Sequence, residues 1–160
     1  MLKEIIIDFL YLDLTKCDRC INTESNLDDA INEVSNILKA VGYSIFVNKI
    51  EITTKELAYK YEFVSSPTIR INGNDICLEI KENSCGCCSD ISGTDVDCRV
   101  FVYDGIEYNE PPKAMIINGI LKEIYSDKKS KKTEKYILPK NLKVFYTGKN
   151  KSCCDGNCSC

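Results

Sequence analysis

The sequence predicts an α/β fold: a mixed sheet flanked by helices, with a Cys-rich loop insertion and a flexible Cys-rich C-terminal tail. Three observations carry this expectation. Strand-like apolar runs alternate with amphipathic helical stretches over the first 125 residues. Asn72-Gly73 and Asp104-Gly105 mark tight turns, which require antiparallel hairpins within the sheet. All but one of the eleven cysteines fall in a dithiol near the N-terminus, a loop, or the final eight residues. A chain of 160 residues with 44% hydrophobic content buries one core and has little room for two. The expected organisation is one domain over residues 1–125 and an appended linker and tail over residues 126–160.

The first strand is read in Glu4-Ile5-Ile6-Ile7-Asp8-Phe9-Leu10-Tyr11-Leu12. A helix is expected to open near Thr23, because Leu27, Ala30, Ile31, Val34, Ile37, Leu38 and Val41 recur at helical spacing and Gly42 sits where a C-terminal cap belongs. Ile45 to Ile52 suggests a second strand. Thr53 with Glu56 three residues later fits a capping box, opening a short helix through Leu57, Ala58 and Tyr61. Ser65-Ser66-Pro67-Thr68 leads into the strand Ile69-Arg70-Ile71, and Asn72-Gly73 turns it into a partner strand spanning Ile76 to Ile80. A Cys-rich loop from Ser84 to Cys98 precedes the strand Val100-Phe101-Val102. Pro111-Pro112 suits a helix start, with Ala114, Ile117, Leu121 and Ile124 marking an apolar face. Residues 126–135 have no apolar side chain and read as linker. Leu142, Val144, Phe145 and Tyr146 suggest a small docking strand before a mobile tail.

The net charge of −3 conceals an asymmetry. Residues 126–160 carry nine Lys and three acids, net +6, leaving net −9 on residues 1–125. A basic tail beside an acidic body can bind nucleic acid or fold back on its own domain; the second is the simpler expectation, so a nucleic-acid partner is not expected. The chain has no histidine, which removes imidazole-assisted nucleophiles and every zinc site that uses imidazole. No apolar stretch approaches the roughly 18 residues that would span a membrane. Met1-Leu2-Lys3-Glu4 runs directly into a strand pattern, so a cytoplasmic location without membrane partners is expected. In that compartment the cysteines read as redox or metal-binding thiols rather than a disulfide framework.

Cys17-Asp18-Arg19-Cys20 lies between a strand and a helix. A helix N-terminus offers unpaired N–H groups and partial positive charge, so a thiol there ionises more readily; Cys17 is the expected nucleophile and Cys20 the resolving thiol. Arg19 favours the thiolate and Asp18 opposes it. In the loop, Cys85 and Cys88 repeat the CxxC spacing and Cys98 can close a site from the next strand. Cys87 is a candidate fourth ligand, a resolving thiol or a small loop residue. The tail adds Cys153, Cys154, Cys158 and Cys160, with Gly156 allowing the turn that gathers them. Such thiolate clusters select soft ions, zinc being the candidate metal, or metalloids. Cys77, between Ile76 and Leu78, reads as a buried structural thiol in a strand.

The order strand, CxxC, helix, strand, helix, Ser-Pro, hairpin, helix resembles the thioredoxin-like superfamily. That resemblance implies a cis proline at Pro67 facing the dithiol, with Ser66 offering backbone hydrogen bonds to a bound substrate. The chain lacks the Trp before the first Cys and the intervening Gly-Pro that typify thioredoxin itself. At finer grain, residues 4 to about 125 resemble the domain of unknown function 2703 family. The features that carry this are Lys16-Cys17-Asp18-Arg19-Cys20, Ile69-Arg70-Ile71-Asn72-Gly73, Ser84-Cys85-Gly86-Cys87-Cys88, Cys98-Arg99, and Tyr108 followed by Pro111-Pro112.

The expected function is thiol-disulfide oxidoreduction through the Cys17/Cys20 dithiol, with no cofactor required and protein or small-molecule thiols and disulfides as partners. The alternative is a non-enzymatic binder of soft metal or metalloid ions built on Cys85, Cys87, Cys88 and Cys98 with the tail thiols. A tail of net +6 tethered to a body of net −9 is expected to dock transiently near the site through charge.

Overall fold

The computed structural model describes residues 2–14, 17–84, 96–126 and 135–154, with side chains described only as far as residue 148 in the last stretch. Strands β1 (Lys3–Tyr11), β2 (Tyr43–Glu51), β3 (Thr68–Ile71) and β4 (Asn74–Asp75) form one sheet in the order β2-β1-β3-β4. β1 and β2 are parallel; β3 is antiparallel to β1, and β4 to β3. Strands β5 (Lys81–Ser84), β6 (Asp97–Tyr103) and β7 (Ile106–Tyr108) form a second, antiparallel sheet. Helices α1 (Asp18–Ala40), α2 (Lys55–Tyr61), α3 (Lys113–Tyr125) and α4 (Lys140–Cys154) complete the described elements. The architecture is therefore mixed α/β, with sheets flanked by helices.

Alternation along β1 divides the core. Ile5, Ile7 and Phe9 pack with Leu27, Ala30, Val34 and Leu38 of α1, Ile69 and Ile71 of β3, and Ile116 and Ile120 of α3. Leu10 and Leu12 join a second cluster with Cys17, Cys20, Ile52, Ala58, Phe63, Val96 and Cys98, closed by Leu138, Leu142, Phe145 and Tyr146. The dithiol thus sits where β1 and β2 end, inside an apolar cluster.

Several elements differ from expectation for identifiable reasons. α1 begins at Asp18 rather than near Thr23, because Cys17 is its N-cap and the Cys17 carbonyl already accepts from the Ile21 N–H at 3.0 Å. The expected cap at Gly42 is present with φ +96°, its N–H donating to the Lys39 carbonyl. The cap of α2 is Thr54, not Thr53: Thr54 Oγ1 accepts from the Leu57 N–H at 3.2 Å. The hairpin after Asn72-Gly73 forms, both residues having positive φ, but its second strand is Asn74–Asp75 and not Ile76 to Ile80. Asp75 Oδ1 accepts from the Cys77 N–H at 2.9 Å, and that local turn bends the chain away from the sheet, leaving Leu78 94% exposed.

On α3 the buried residues are Met115, Ile116 and Ile120, while Ala114 is exposed; Ile117, Leu121 and Ile124 are half-buried along the margin of that face. The segment expected as a docking strand does dock, but as α4. Leu142, Phe145 and Tyr146 are spaced to share one helical face, whereas reading Leu142, Val144 and Tyr146 alone gives strand alternation. Its contacts are apolar side chains and hydrogen bonds, one of them from the Asn141 amide to the Glu82 carboxylate at 2.7 Å; among the described residues no ion pair joins residues 135–148 to the rest of the chain. Lys128, Lys129, Lys131, Lys132, Lys149 and Lys151, on which the expected attraction between basic tail and acidic body mostly rests, lie outside the residues whose side chains are described. No helix among the described residues is long and apolar enough to cross a membrane.

Candidate functional site

Three chain segments build the site around the dithiol. Cys17 stands in extended conformation at the mouth of α1 and Cys20 lies in the first helical turn, so the helical rise turns both toward the end of β1. Both are wholly buried, each 0% exposed. Arg19, between them, is half-buried, and one guanidinium nitrogen donates to the Ser84 carbonyl at 3.3 Å, which ties the end of β5 to the dithiol.

The second segment is the turn Ser65-Ser66-Pro67-Thr68, in which the Ser66–Pro67 peptide bond is cis, as the resemblance to the thioredoxin-like superfamily implies. The Ser66 hydroxyl oxygen accepts from the Leu12 N–H at 3.1 Å and lies 3.4 Å from the Cys20 sulfur. It therefore fastens the chain leading into the dithiol and touches the inner thiol with the same atom. Cys20 is pushed well above the ordinary thiol range, first by its hydrogen bond to Cys17, then by burial and by the charge of Cys17; the Ser66 hydroxyl and a backbone hydrogen bond involving Asp13 act in the opposite direction. The physical consequence is a division of labour: Cys20 holds a proton within reach of Cys17.

The third segment is β6. Its Cys98 is fully buried in the same apolar cluster as Cys17 and Cys20. The next residue, Arg99, donates its backbone N–H to the Ser66 carbonyl at 2.8 Å. Its guanidinium, 0% exposed, makes a forked pair with Asp75 at 2.7 and 2.9 Å, donates to Thr68 Oγ1 at 3.0 Å and to the Cys77 carbonyl at 2.7 Å, and lies over the Phe101 ring. Arg99 and Asp75 thereby hold the cis-proline turn from behind. Neither residue is among the expected site residues. The signal was available in an Arg flanked by strand-forming Cys98 and Val100 and in an Asp two residues after a hairpin turn, but only their pairing across 24 positions makes the clasp.

The dithiol, Ser66, Pro67 and Cys98 are thus brought together. Cys77 is buried elsewhere, in a cluster with Phe101 and Met115, its thiol donating to the Glu79 carbonyl at 3.3 Å. It borders a separate cavity of about 780 Å³ lined by Asp75, Tyr103, Met115, Gly119 and Glu123 among others. Cys85, Cys87, Cys88, Cys158 and Cys160 lie outside the described residues, and Cys153 and Cys154 are described only as backbone in the last turn of α4. Among the described residues no group of three or more Cys, Asp or Glu side chains is disposed to hold a metal ion.

A family model described as a domain of unknown function (DUF2703) matches residues 5–120. No curated protein and no solved structure matches the chain.

Proposed function

The chain belongs to the DUF2703 family, and from the geometry of its site we propose that it is a thiol-disulfide oxidoreductase with a thioredoxin-like arrangement. One observation carries this reading: the Cys17/Cys20 pair at the mouth of α1 meets the cis Ser66–Pro67 turn, with the Cys20 sulfur 3.4 Å from the Ser66 hydroxyl. The sheet order β2-β1-β3-β4, with β3 reversed, supports it by setting that turn beside the end of β1.

In the proposed reaction the Cys17 thiolate attacks one sulfur of a substrate disulfide. The substrate S–S bond breaks, a Cys17–substrate mixed disulfide forms, and the departing sulfur leaves as a thiolate. Cys20 then gives up its proton, attacks the Cys17 sulfur and releases the second substrate thiol, while the first thiolate takes up a proton. The substrate gains two electrons and the enzyme is left with a Cys17–Cys20 disulfide, which an external dithiol reduces. Such an enzyme belongs in a compartment that keeps thiols reduced, the cytoplasm, with protein or small-molecule disulfides as partners.

The test is turnover of an aromatic model disulfide with a dithiol reductant. Cys17→Ser is expected to abolish it, and Cys20→Ser to accumulate the mixed disulfide at Cys17, visible by mass. Retained turnover in Cys17→Ser sinks the assignment.

A second reading, capture of a soft metal such as zinc or of a metalloid, is favoured by the anchoring of both flanks of the Cys-rich loop at the dithiol. Ser84 is held by Arg19, and Val96 and Cys98 lie in the dithiol's own cluster. It requires metal to co-purify with reduced protein and to be lost in Cys98→Ser.

A further inference from the structure

We propose that residues 136–148 form a displaceable strap over the dithiol, occupying the face on which a disulfide would have to land, so that the site reacts only when the strap lifts. The inference takes from the preceding section what the site does, but it stands on separate observations. Disulfide exchange requires the sulfur of the incoming molecule to reach the attacking thiolate, and both thiols are 0% exposed. The apolar cluster that encloses them is completed by Leu138, Leu142, Phe145 and Tyr146, all from this one segment.

The strap's polar anchors go to the same end of the sheet. The Tyr146 hydroxyl donates to the Ile52 carbonyl at 2.7 Å, immediately beyond β2. The Tyr136 hydroxyl donates to the Phe63 carbonyl, three residues before Ser66, and its ring packs edge-on against Tyr59 of α2. Asn141 Oδ1 accepts from the Asp97 N–H at 2.9 Å, next to Cys98. The segment therefore bridges the end of β2, the approach to the cis-proline turn and the start of β6, the three places that surround the dithiol.

The strap is also separable from what it covers. It lies beyond residue 120, where the family match ends, and takes no part in the cluster formed by β1, β3, α1 and α3. Six side chains of the shared cluster and a handful of hydrogen bonds, one of them from Asn141 to the Glu82 carboxylate, hold it without an ion pair among the described residues, and so local a set of contacts is the condition under which one element opens before the rest of a domain.

The experiment is alkylation of the reduced, full-length chain by iodoacetamide, followed residue by residue by mass spectrometry. Phe145→Ala removes the largest apolar anchor and is expected to speed modification of Cys17 by about tenfold or more. Tyr146→Phe removes only the hydroxyl and is expected to give a smaller rise, about fivefold. Cys77, buried in its own cluster, is the internal reference and keeps its rate. Unchanged rates at Cys17 in both variants, or an equal acceleration at Cys77, overturn the proposal; if Phe145→Ala fails to fold, Tyr146→Phe carries the test. Alkylation reads access alone, so failure here is distinct from failure of Cys17→Ser to abolish turnover.

Discussion

The backbone N–H of Arg99 donates to the carbonyl of Ser66 at 2.8 Å, so the strand that carries Cys98 is fastened to the turn that faces the dithiol. The same Arg99 sends its buried guanidinium to Asp75, so a hairpin of the first sheet and a strand of the second are clamped on one turn. The site's geometry depends on a long-range polar clasp as much as on the CxxC itself.

That clasp predicts an asymmetric response to mutation. Asp75→Ala leaves a wholly buried guanidinium without its carboxylate, at an expected cost of about 3–5 kcal/mol. Adding Arg99→Met removes the stranded charge, so the double variant is expected to be more stable than Asp75→Ala alone, although the Thr68 and Cys77 acceptors lose a donor. Denaturant unfolding followed by circular dichroism gives the comparison. A double variant less stable than the single would mean that the clasp is not the source of the effect.

Ser66→Ala acts on two groups at once. It leaves the Leu12 N–H without its acceptor in a buried setting, expected to cost about 1–3 kcal/mol. It also removes the hydrogen bond that restrains the rise of the Cys20 pKa, so Cys20 should ionise at still higher pH than in the parent. NMR titration of the Cys20 Cβ resonance measures this directly; movement to lower pH contradicts the assigned role of the hydroxyl.

Much of this was legible in the sequence where short-range signals suffice. The order of β1, α1, β2, α2 and β3 follows from periodicity, and the two Gly-containing turns from their need for positive φ. Cys17 at a helix start was readable from local order, whereas Pro67 beside the dithiol came only from the resemblance to the thioredoxin-like superfamily. What escaped depends on distant partners. Asp75 ends β4 because Arg99 and the Cys77 N–H share its carboxylate, and nothing within Asn74 to Ile80 announces that. Leu142 to Tyr146 fits both a strand and a helix over so short a run, and the apolar face it covers decides between them. Cys17 is buried in the cluster that α4 joins, and a helix N-terminus alone does not imply that burial.

Capping gives a local check. Thr54, whose hydroxyl accepts from Leu57, is the working N-cap of α2, whereas Thr53 precedes the helix. Thr54→Ala is expected to lower stability by about 1 kcal/mol and Thr53→Ala by less than about 0.5 kcal/mol. Thermal unfolding of the two variants side by side decides it; equal effects would return the cap to the position suggested by the Thr53/Glu56 pairing.

The raised pKa of Cys20 makes the stability of the reduced protein depend on alkaline pH in a definite direction. Below the ordinary thiol value of 9.0, Cys20 is protonated in both folded and unfolded chains, and its contribution is whole. Above that value the unfolded chain releases the proton while the folded chain keeps it. Unfolding is then favoured by about 1.4 kcal/mol for each further pH unit. Tyr136, pushed up to about 12, and Tyr146, raised by burial, add losses of the same sign, but only once pH passes the ordinary tyrosine value of 10.0. The window between the two ordinary values therefore separates thiol ionisation from that of the tyrosines, and the comparison with Cys20→Ser assigns the Cys20 share. Denaturant unfolding of the reduced parent across that window should fall more steeply than that of Cys20→Ser. Parallel curves for parent and Cys20→Ser would mean that Cys20 ionises alike in the folded and unfolded chains, and the protonated inner thiol would have to be given up.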